Sequence, residues 1–337
     1  RQPLQQHFGF LPYCSRQGLL RGTMLSRRFL VSGGAARPVL VSQVLGVNGA
    51  QACVDTQTRQ AASMKAVKQR MRSVENIKKI TKAMKMVAAA KLKHDQRRME
   101  NGMPFIKPVQ ALFERLPREE RSGPVTYLGV TSDKGLCGGV NSAVAKLSRV
   151  SMQEEEAKGN AVKFMCIGQK GSAALKRVMG DRFSVTFEEA AKAPWSFATA
   201  SLIAERVIVS DPFRLKVVSN RFKSLVAYDT IAQHCITLSE AQSMDKGEWS
   251  KAMDVYSFEP SIYEVWNDLH EFYYGAIIYG AHLEAATSEQ SARMTAMDNA
   301  SKNATEMLEK LSLIYNRARQ AKITTELCEI ISGAAAV

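Results

Sequence analysis

The fold of this chain is decided by two helix-forming segments at its opposite ends. The first reads MKAVKQRMRSVENIKKITKAMKMVAAAKL, residues 64–92, and the second spans residues 261–331 without a proline. Each segment carries an apolar stripe that a lone helix would leave in contact with water. The two stripes can cover each other, so the sequence predicts one two-helix shaft with the intervening residues folded as a separate body.

Apolar side chains in the first segment recur in steps of three or four residues, which predicts one side of a coiled-coil seam. They are Met64, Val67, Met71, Val74, Ile77, Ile80, Met84 and Val87. We expect Ser63 to cap this helix, because serine oxygens accept from free amides at helix starts. Gly102, Pro104 and Pro108 are expected to kink or end it.

The second segment has the same helical spacing over an unusual length. Its apolar or small positions are Met294, Met297, Ala300, Ala304, Leu308, Leu311, Ile314, Ala318, Ala321, Thr325, Cys328 and Ile331. If it is continuous, its 71 residues extend for about 105 Å at 1.5 Å per residue. Gly333 is the expected C-terminal cap. A helix of this length needs a partner, and the first segment is the only candidate within the chain.

Between the segments the pattern changes to strands that alternate with helices, which predicts a parallel α/β layer. The predicted strands are 125–130, 162–167 and 183–187, and the predicted helices are 141–158, 171–179 and 197–209. Antiparallel strands at 216–218, 224–230 and 236–238 are expected to follow. The predicted fold class is therefore α/β, with a long antiparallel coiled coil of the N- and C-terminal helices plus a central Rossmann-like α/β domain. Its boundaries are a presequence or extension 1–62, helix 63–116, domain 117–259 and helix 260–337.

The net charge of +14 is concentrated in the first third of the chain. Residues 1–62 carry +6 and residues 63–98 carry +10, so the remainder carries −2. Residues 1–54 contain six Arg and neither Lys nor acid, a bias typical of a mitochondrial transit peptide. A basic extension without a targeting role is the alternative. Six scattered cysteines indicate a reducing compartment, and no apolar run is long enough to cross a bilayer.

Two features could indicate other functions. The glycine-rich turn at residues 134–139 follows a strand and precedes a helix, where backbone amides can bind phosphate. It lacks both common nucleotide-binding patterns, so a tight β–α connection is the favoured interpretation. The twelve cations of residues 63–98 could bind nucleic acid, but no aromatic residue accompanies them for base stacking. An acidic protein surface, or solvent alone, would match these cations equally well.

The sequence contains no recognisable catalytic constellation. The five histidines have no metal-ligand spacing, and neither a nucleophile elbow nor a paired-carboxylate motif is present. We therefore expect no catalytic residues, no metal and no cofactor, and a protein that is not itself an enzyme.

Three motifs in order resemble the gamma-subunit family of F-type ATP synthases, in its mitochondrial form. They are residues 64–92, the stretch SDKGLCGGVN at residues 132–141, and the pair ARMTAMDNA at 292–300 with YNRARQAKITTEL at 315–327. The resemblance covers residues 63–337. It implies the central-stalk rotor of a mitochondrial F1Fo ATP synthase, which couples rotation of the c-ring to conformational cycling of the catalytic beta subunits.

The resemblance also implies the partners and the place of this chain. The two terminal helices would turn inside a ring of alpha and beta subunits, with the delta and epsilon subunits and the c-ring at the foot. No nucleic acid is expected as a partner. The chain would lie peripherally on the matrix side of the mitochondrial inner membrane, reaching the membrane only through the c-ring.

By resemblance, two surfaces of the shaft would contact beta subunits. The implied contact residues are Lys78, Lys79, Lys82, Met84 and Lys85 on the first helix, and Arg319, Gln320 and Thr324 on the second. A bearing without charges is expected at the tip, which comprises Ile330, Ile331, Ala334, Ala335, Ala336 and Val337. Moderate contacts suit a rotor, because a very strong contact would hold it at one angle.

Overall fold

The computed structural model describes residues 48–116, 122–190, 195–242, 246–259 and 261–335. The chain divides into two compact units, Arg1–Cys53 and Val54–Val337, and only the last residues of the first unit are described. The predicted transit segment therefore lies largely outside the described residues. The strands are β1 Val125–Val130, β2 Val162–Ile167, β3 Phe183–Phe187, β4 Arg214–Phe222 and β5 Tyr228–Cys235. The helices are α1 Asn48–Glu114, α2 Val140–Ala157, α3 Gln169–Met179, α4 Phe197–Val209, α5 Leu238–Gln242, α6 Lys246–Met253 and α7 Ile262–Ala335.

The five strands form one mixed sheet in the order β3-β2-β1-β4-β5. The first three predicted strands are confirmed, and all three lie parallel to their neighbours. The prediction for the last strands is partly wrong: residues 216–218 belong to β4, which pairs parallel to β1. The crossover through α4 is long enough to return the chain in the parallel direction. Among the described strands, β5 alone runs antiparallel to its neighbour, because a short turn joins it to β4. Residues 236–238 follow it without forming a strand.

Both faces of the sheet are covered, as a parallel sheet requires. One core cluster contains Leu128, Met165 and Leu215 together with residues of α1, α4 and α7. The other contains Tyr127 and Phe164 and is covered by α2 and α3. All five side chains are at most 1% exposed, and full burial of one large apolar side chain stabilises by about 1.5–3 kcal/mol.

Helix α1 is longer than predicted at its N-terminal end. It begins at Asn48 and passes through Ser63, so the predicted cap at Ser63 is wrong. It also continues through Pro104 and Pro108 to Glu114. Each proline removes one backbone donor from the helix. The surrounding turns nevertheless bury Ile106 and Phe113, which are 2% and 1% exposed, and this packing offsets the lost hydrogen bonds.

Helix α7 contains 74 residues and extends for about 110 Å along its axis. It continues through Gly333 to Ala335, so the predicted cap at Gly333 is also wrong. Among the described residues, and apart from its chain neighbours and the backbone of its own helix, no atom lies within 4 Å of the place where a Cβ of Gly333 would stand. Nothing in the described chain forces a left-handed turn at this glycine, and it keeps the helical conformation.

Candidate functional site

Helices α1 and α7 pack side by side with opposite directions. Their contacts can be followed in sequence, since residue numbers rise along α1 while those of the matching residues on α7 fall. Val74 lies in one apolar cluster with Ala304 and Leu311, Lys85 bonds Asp298, and Phe113 stacks on Tyr273. We call residues 64–92 of α1 and residues 297–335 of α7 the shaft.

The covered positions of the shaft repeat in alternating steps of four and three residues. On α1 they are residues 67, 71, 74, 78, 81, 85, 88 and 92, and on α7 they are residues 297, 301, 304, 308, 311, 315, 318, 322 and 325. All of them are buried or half-buried, whereas most of the residues between them are exposed. The mean step of 3.5 residues keeps one side of each helix turned toward the other along the shaft.

The predicted seam on α1 is wrong at three positions beyond Val74. Ile77, Ile80 and Val87 were expected in it, but they are 49%, 58% and 57% exposed. Each step of three residues turns only about 300° around a helix, so successive steps of three rotate away from the partner. Lys78 and Thr81 occupy the seam instead, so the middle of the seam is partly polar.

One ion pair joins the two helices within this polar stretch. The Lys85 ammonium bonds Oδ1 of Asp298 at 2.6 Å, and Lys302 contacts Oδ2 of the same carboxylate at 3.1 Å. The hydrogen bonds from Lys85 and Lys302 lower the pKa of Asp298. Lys85, implied above as a contact for a partner, is therefore already bound within the chain. The sequence argument missed this pairing, although Asp298 lies next to the predicted seam residue Met297.

The other implied contact residues lie at two separate levels of the shaft. Lys79 and Lys82 are exposed, Lys78 and Met84 are half-buried, and Lys79 also contacts Glu75 at 3.0 Å. The second group, Arg319, Gln320 and Thr324, is exposed on α7. Asp298 faces the first group, and Arg319 lies 21 residues further along α7, so the two groups are about 30 Å apart along the axis.

The predicted tip is exposed wherever the structure describes it. Ile330 and Ile331 are 69% and 59% exposed, and Ala334 and Ala335 are exposed as well. Ala336 and Val337 lie outside the described residues. The last turns of α7 thus present uncharged side chains at one end of the shaft.

The glycine-rich turn forms a closed β–α connection. The Asn141 side chain accepts a bond from the Ser132 amide at 3.0 Å and donates to the Ser132 hydroxyl at 2.8 Å. Leu136 adopts a left-handed backbone with φ of 64°. Arg293 of α7 donates to the Gly135 carbonyl at 3.4 Å, which ties the turn to the base of the shaft. These contacts favour the interpretation as a structural connection, and they add a fastening to α7 that the sequence did not indicate.

Helix α7 also covers the crevice where a sheet of this kind usually binds ligands. Strand order reverses between β1 and β4, and α/β proteins bind nucleotides beyond the carboxyl ends of such strands. Here His282, Ala285 and Ala286 line the crevice from above and leave a cavity of about 10 Å³. That volume holds about one water molecule, whereas ligand pockets have volumes of about 300 Å³ or more. The crevice is thus closed to a nucleotide by the chain itself.

The histidine in this crevice is held in its neutral form. Burial, followed by the charge of Arg98, lowers the pKa of His282 to about 4. Its ring stacks on Trp195 with the centroids 3.8 Å apart. No cluster of three metal-binding side chains occurs in the described ranges. Among the helices so described, none is both long and apolar enough to span a bilayer.

Comparison with known proteins gives a family match over residues 63–337, to the family described as ATP synthase. The mitochondrial ATP synthase subunit gamma of Drosophila melanogaster is 42% identical over 286 residues, which cover 83% of this chain and 93% of the relative. The mitochondrial ATP synthase F(1) complex subunit gamma of Rattus norvegicus is 39% identical, with 82% and 100% covered.

Solved structures show the same fold. A chain from the central stalk and c-ring of the Tetrahymena thermophila mitochondrial ATP synthase is 29% identical, with a TM-score of 0.54 over 66% of this chain and 99% of that one. A chain of the Euglena gracilis mitochondrial ATP synthase gives a TM-score of 0.70 over 82% and 95%, at 21% identity. This second likeness concerns the fold alone.

Proposed function

Because the chain belongs to the family of ATP synthase gamma subunits, we propose that it is the central-stalk rotor subunit of a mitochondrial F1Fo ATP synthase. It couples rotation of the c-ring to conformational cycling of the beta catalytic sites. Its partners are the alpha and beta subunits of the ring, the delta and epsilon subunits and the c-ring. It is a non-catalytic subunit and lies on the matrix side of the inner membrane, without contact to nucleic acid.

The observation that carries this proposal is that α1 and α7 differ along their length. One part of each helix packs into the sheet domain, and the other part forms the largely exposed shaft. In the part of the shaft that the structure describes, the two helices cover each other along one seam, and most residues outside that seam are exposed. This exposed surface can contact a surrounding ring. At the other end both helices are built into the core of the sheet domain. Torque applied to that domain can therefore pass directly into the shaft.

The finer architecture follows the same reasoning. A seam with a mean step of 3.5 residues supports an antiparallel coiled coil with a left-handed supercoil. The strand order supports a Rossmann-like central domain. We propose the boundaries 1–62, 63–116, 117–259 and 260–337 for the extension, the first long helix, the foot domain and the second long helix. Helix α1 begins at Asn48, so its first residues lie within the extension.

Two levels of the shaft are proposed to contact beta subunits. The lower level comprises Lys78, Lys79, Lys82, Met84 and Lys85, and the upper level comprises Arg319, Gln320 and Thr324. Cations at the lower level suit acidic loops of the ring, since complementary charge guides such contacts without holding them rigidly. Lys85 contributes less than Lys82, because its ammonium is already bound to Asp298.

The uncharged tip is proposed to act as the bearing. Ile330, Ile331, Ala334, Ala335, Ala336 and Val337 carry no charge that could favour one rotational angle. Contact between such side chains and an apolar sleeve is non-directional, so the barrier to turning stays low.

The decisive experiment adds one charge at the lower level of the shaft. Met84→Lys places a further cation beside the cluster and is expected to reduce the coupling of ATP hydrolysis to proton pumping in the reconstituted complex. Met86→Lys is the matched control, because Met86 is 62% exposed two residues away on another side of α1. Equal coupling in the two variants would contradict the placement of this surface.

A second measurement tests the function as a whole. The full chain is mixed with alpha and beta subunits, and assembly and ATP hydrolysis are recorded with and without residues 330–337. We expect a stable complex in both cases and altered turnover in the truncated one. Failure of the full chain to assemble, together with salt-sensitive binding to duplex DNA, would instead support a nucleic-acid-binding protein.

A further inference from the structure

A groove between α4 and α7 combines acidic and aromatic side chains and has no role in the shaft or the sheet described above. It consists of two adjoining cavities of about 420 Å³ and 230 Å³. Ile208 and Glu271 line both of them, so the two cavities are direct neighbours. The first lies along α4, and the second lies between the end of α4, the start of α5 and α7.

The groove is acidic, in contrast to the chain as a whole. Its lining includes four carboxylates, Glu205, Asp211, Asp268 and Glu271, and neither Lys nor Arg occurs among the described lining residues. All four are exposed. Helix α7 has no Lys or Arg before Arg293. A chain with a formal charge of +14 thus keeps one locally negative surface on its foot, and the partner that suits it carries positive charge.

The floor of the first cavity is apolar and aromatic. Phe197 and Phe272 face each other across it with ring centroids 5.6 Å apart, and Phe105 packs edge-on against both. Phe272 is still 36% exposed, and Val209 at the rim is 71% exposed. An apolar floor with a charged rim is typical of a protein-binding groove.

A buried hydroxyl without a protein partner lies in the second cavity. Tyr274 is 2% exposed, and its hydroxyl oxygen has no hydrogen-bond partner among the described residues. Burial raises the pKa of this phenol. Buried hydroxyls are normally hydrogen-bonded, so this one is available to a donor or acceptor of a partner. Tyr274 and two carboxylates, Asp211 and Glu271, line the same cavity.

We infer that this groove docks a basic amphipathic helix of another subunit, with one Lys or Arg side chain inserted into the second cavity and an apolar side chain on the aromatic floor of the first. The aliphatic stem of such a cation would pack on Ile208 and Pro212, and its head would reach Asp211, Glu271 and the Tyr274 hydroxyl. Helix α4 has 13 residues, about 20 Å, which matches three to four turns of a docked helix. The identity of the partner as another subunit of the complex rests on the proposed function.

Peptide binding to the full chain tests the groove by itself. The probes are a synthetic peptide of about 14 residues with Leu and Lys in an amphipathic helical pattern, and its counterpart with Glu in place of Lys. We expect the Lys peptide to bind and the Glu peptide not to bind. Glu271→Lys should weaken binding about tenfold or more, and Tyr274→Phe should weaken it less.

The matched control is Glu154→Lys, which reverses an exposed charge on α2. It should leave the affinity for the Lys peptide unchanged. Equal binding of both peptides, or equal losses in Glu271→Lys and Glu154→Lys, would overturn the inference. Circular dichroism of each variant checks that the fold is intact.

Photo-crosslinking identifies the partner in the assembled complex. A photoreactive residue replaces Ser201, which lines the first cavity, and the crosslinked peptide is identified by mass spectrometry. A Lys- or Arg-rich helical segment of another subunit is expected. A crosslink to an acidic segment, or none in an assembled complex, would overturn the assignment. Failure of the complex to assemble would count against the proposed function and leave the peptide result standing.

Discussion

The two ends of the same helix pair differ in what holds them together. Where α1 and α7 meet the sheet domain, Phe113 is 1% exposed and stacks on Tyr273 with centroids 3.7 Å apart. In the shaft, the middle of the seam contains Lys78 and Thr81, and Ile80 beside it is 58% exposed. Where the helices meet the sheet domain they are part of a protein core, whereas in the shaft they form a two-helix pair with most of its surface exposed.

This difference indicates that the helices are anchored at the sheet domain and make their functional contacts along the shaft. A rotor must be held firmly where it receives torque, and aromatic side chains there supply large buried areas. Its working surface must change partners, so that surface keeps cations and apolar side chains available instead of burying them. Substitutions at the two ends should therefore differ in kind, with loss of stability at the base and loss of coupling along the shaft.

The largest effect is expected at the base. Phe113→Ala removes a ring that also lies 5.2 Å from Trp266, and it should lower the free energy of unfolding by about 3–5 kcal/mol. Leu313→Ala in the shaft is the control, since Leu313 is 60% exposed and its truncation should change stability by no more than about 0.5 kcal/mol. Urea denaturation of the full chain measures both. Similar losses would remove the distinction between base and shaft.

The buried ion pair of the sheet domain should give the next effect. Arg214 and Lys216 both bond Glu155 at 3.0 Å, and the side chains of Glu155 and Arg214 are 5% and 7% exposed. Glu155→Gln leaves Arg214 without its counter-ion and should cost about 3 kcal/mol. Glu155→Asp, which keeps the charge, should cost less. Denaturation at neutral pH compares the two, and equal losses would show that the charge is unimportant.

The same carboxylate predicts an acid dependence. Burial alone would raise the pKa of Glu155, but hydrogen bonds from Lys216, Asn160 and Arg214 lower it from its ordinary value of 4.5 to about 2. A lowered pKa in the folded state means that its contribution is complete above pH 4.5 and is lost as the pH falls toward 2. Stability should fall less steeply over this range in Glu155→Gln. A parallel fall in both proteins would refute this role.

A pair of substitutions three residues apart tests the seam of the shaft. Val74 is 7% exposed and Ile77 is 49% exposed. Val74→Ala should lower stability by about 1–2 kcal/mol, whereas Ile77→Ala should stay within about 0.5 kcal/mol. Thermal unfolding followed by circular dichroism measures the change. A loss in Ile77→Ala as large as that in Val74→Ala would restore the spacing first expected from the sequence, which placed both residues in the seam.

The smallest effect is expected at the ion pair of the shaft. Lys85 and Asp298 have side chains that are 43% and 32% exposed, so solvent and salt screen their attraction. A double-mutant cycle with Lys85→Ala and Asp298→Ala should give a coupling much smaller than the loss at Glu155, and one that fades as salt is added. A large coupling insensitive to salt would mean that the shaft is held as firmly as the base.

Periodicity predicted the element types well and the contacts less well. Three strands of the sheet and helix α4 lie where the pattern placed them, because short apolar runs between turns leave few alternatives. Helix ends were misplaced at Ser63 and Gly333, since capping preferences contribute only about 1 kcal/mol and continuation of the helix overrides them. The seam failed at Ile77 because hydrophobicity alone cannot show when a lysine or a threonine faces the partner.

The sequence by itself predicted that the two terminal helices pair with each other, that the residues between them form an α/β domain, and that the chain resembles a gamma subunit. These conclusions depend on the spacing of apolar residues, on charge and on the order of the motifs, all of which can be read from the sequence. Only the tertiary structure decided that Lys85 is bound to Asp298, that α7 fills the crevice of the sheet, and that an acidic groove lies between α4 and α7. Those features join residues far apart in the chain, and their distances depend on how the elements pack, which no local pattern encodes.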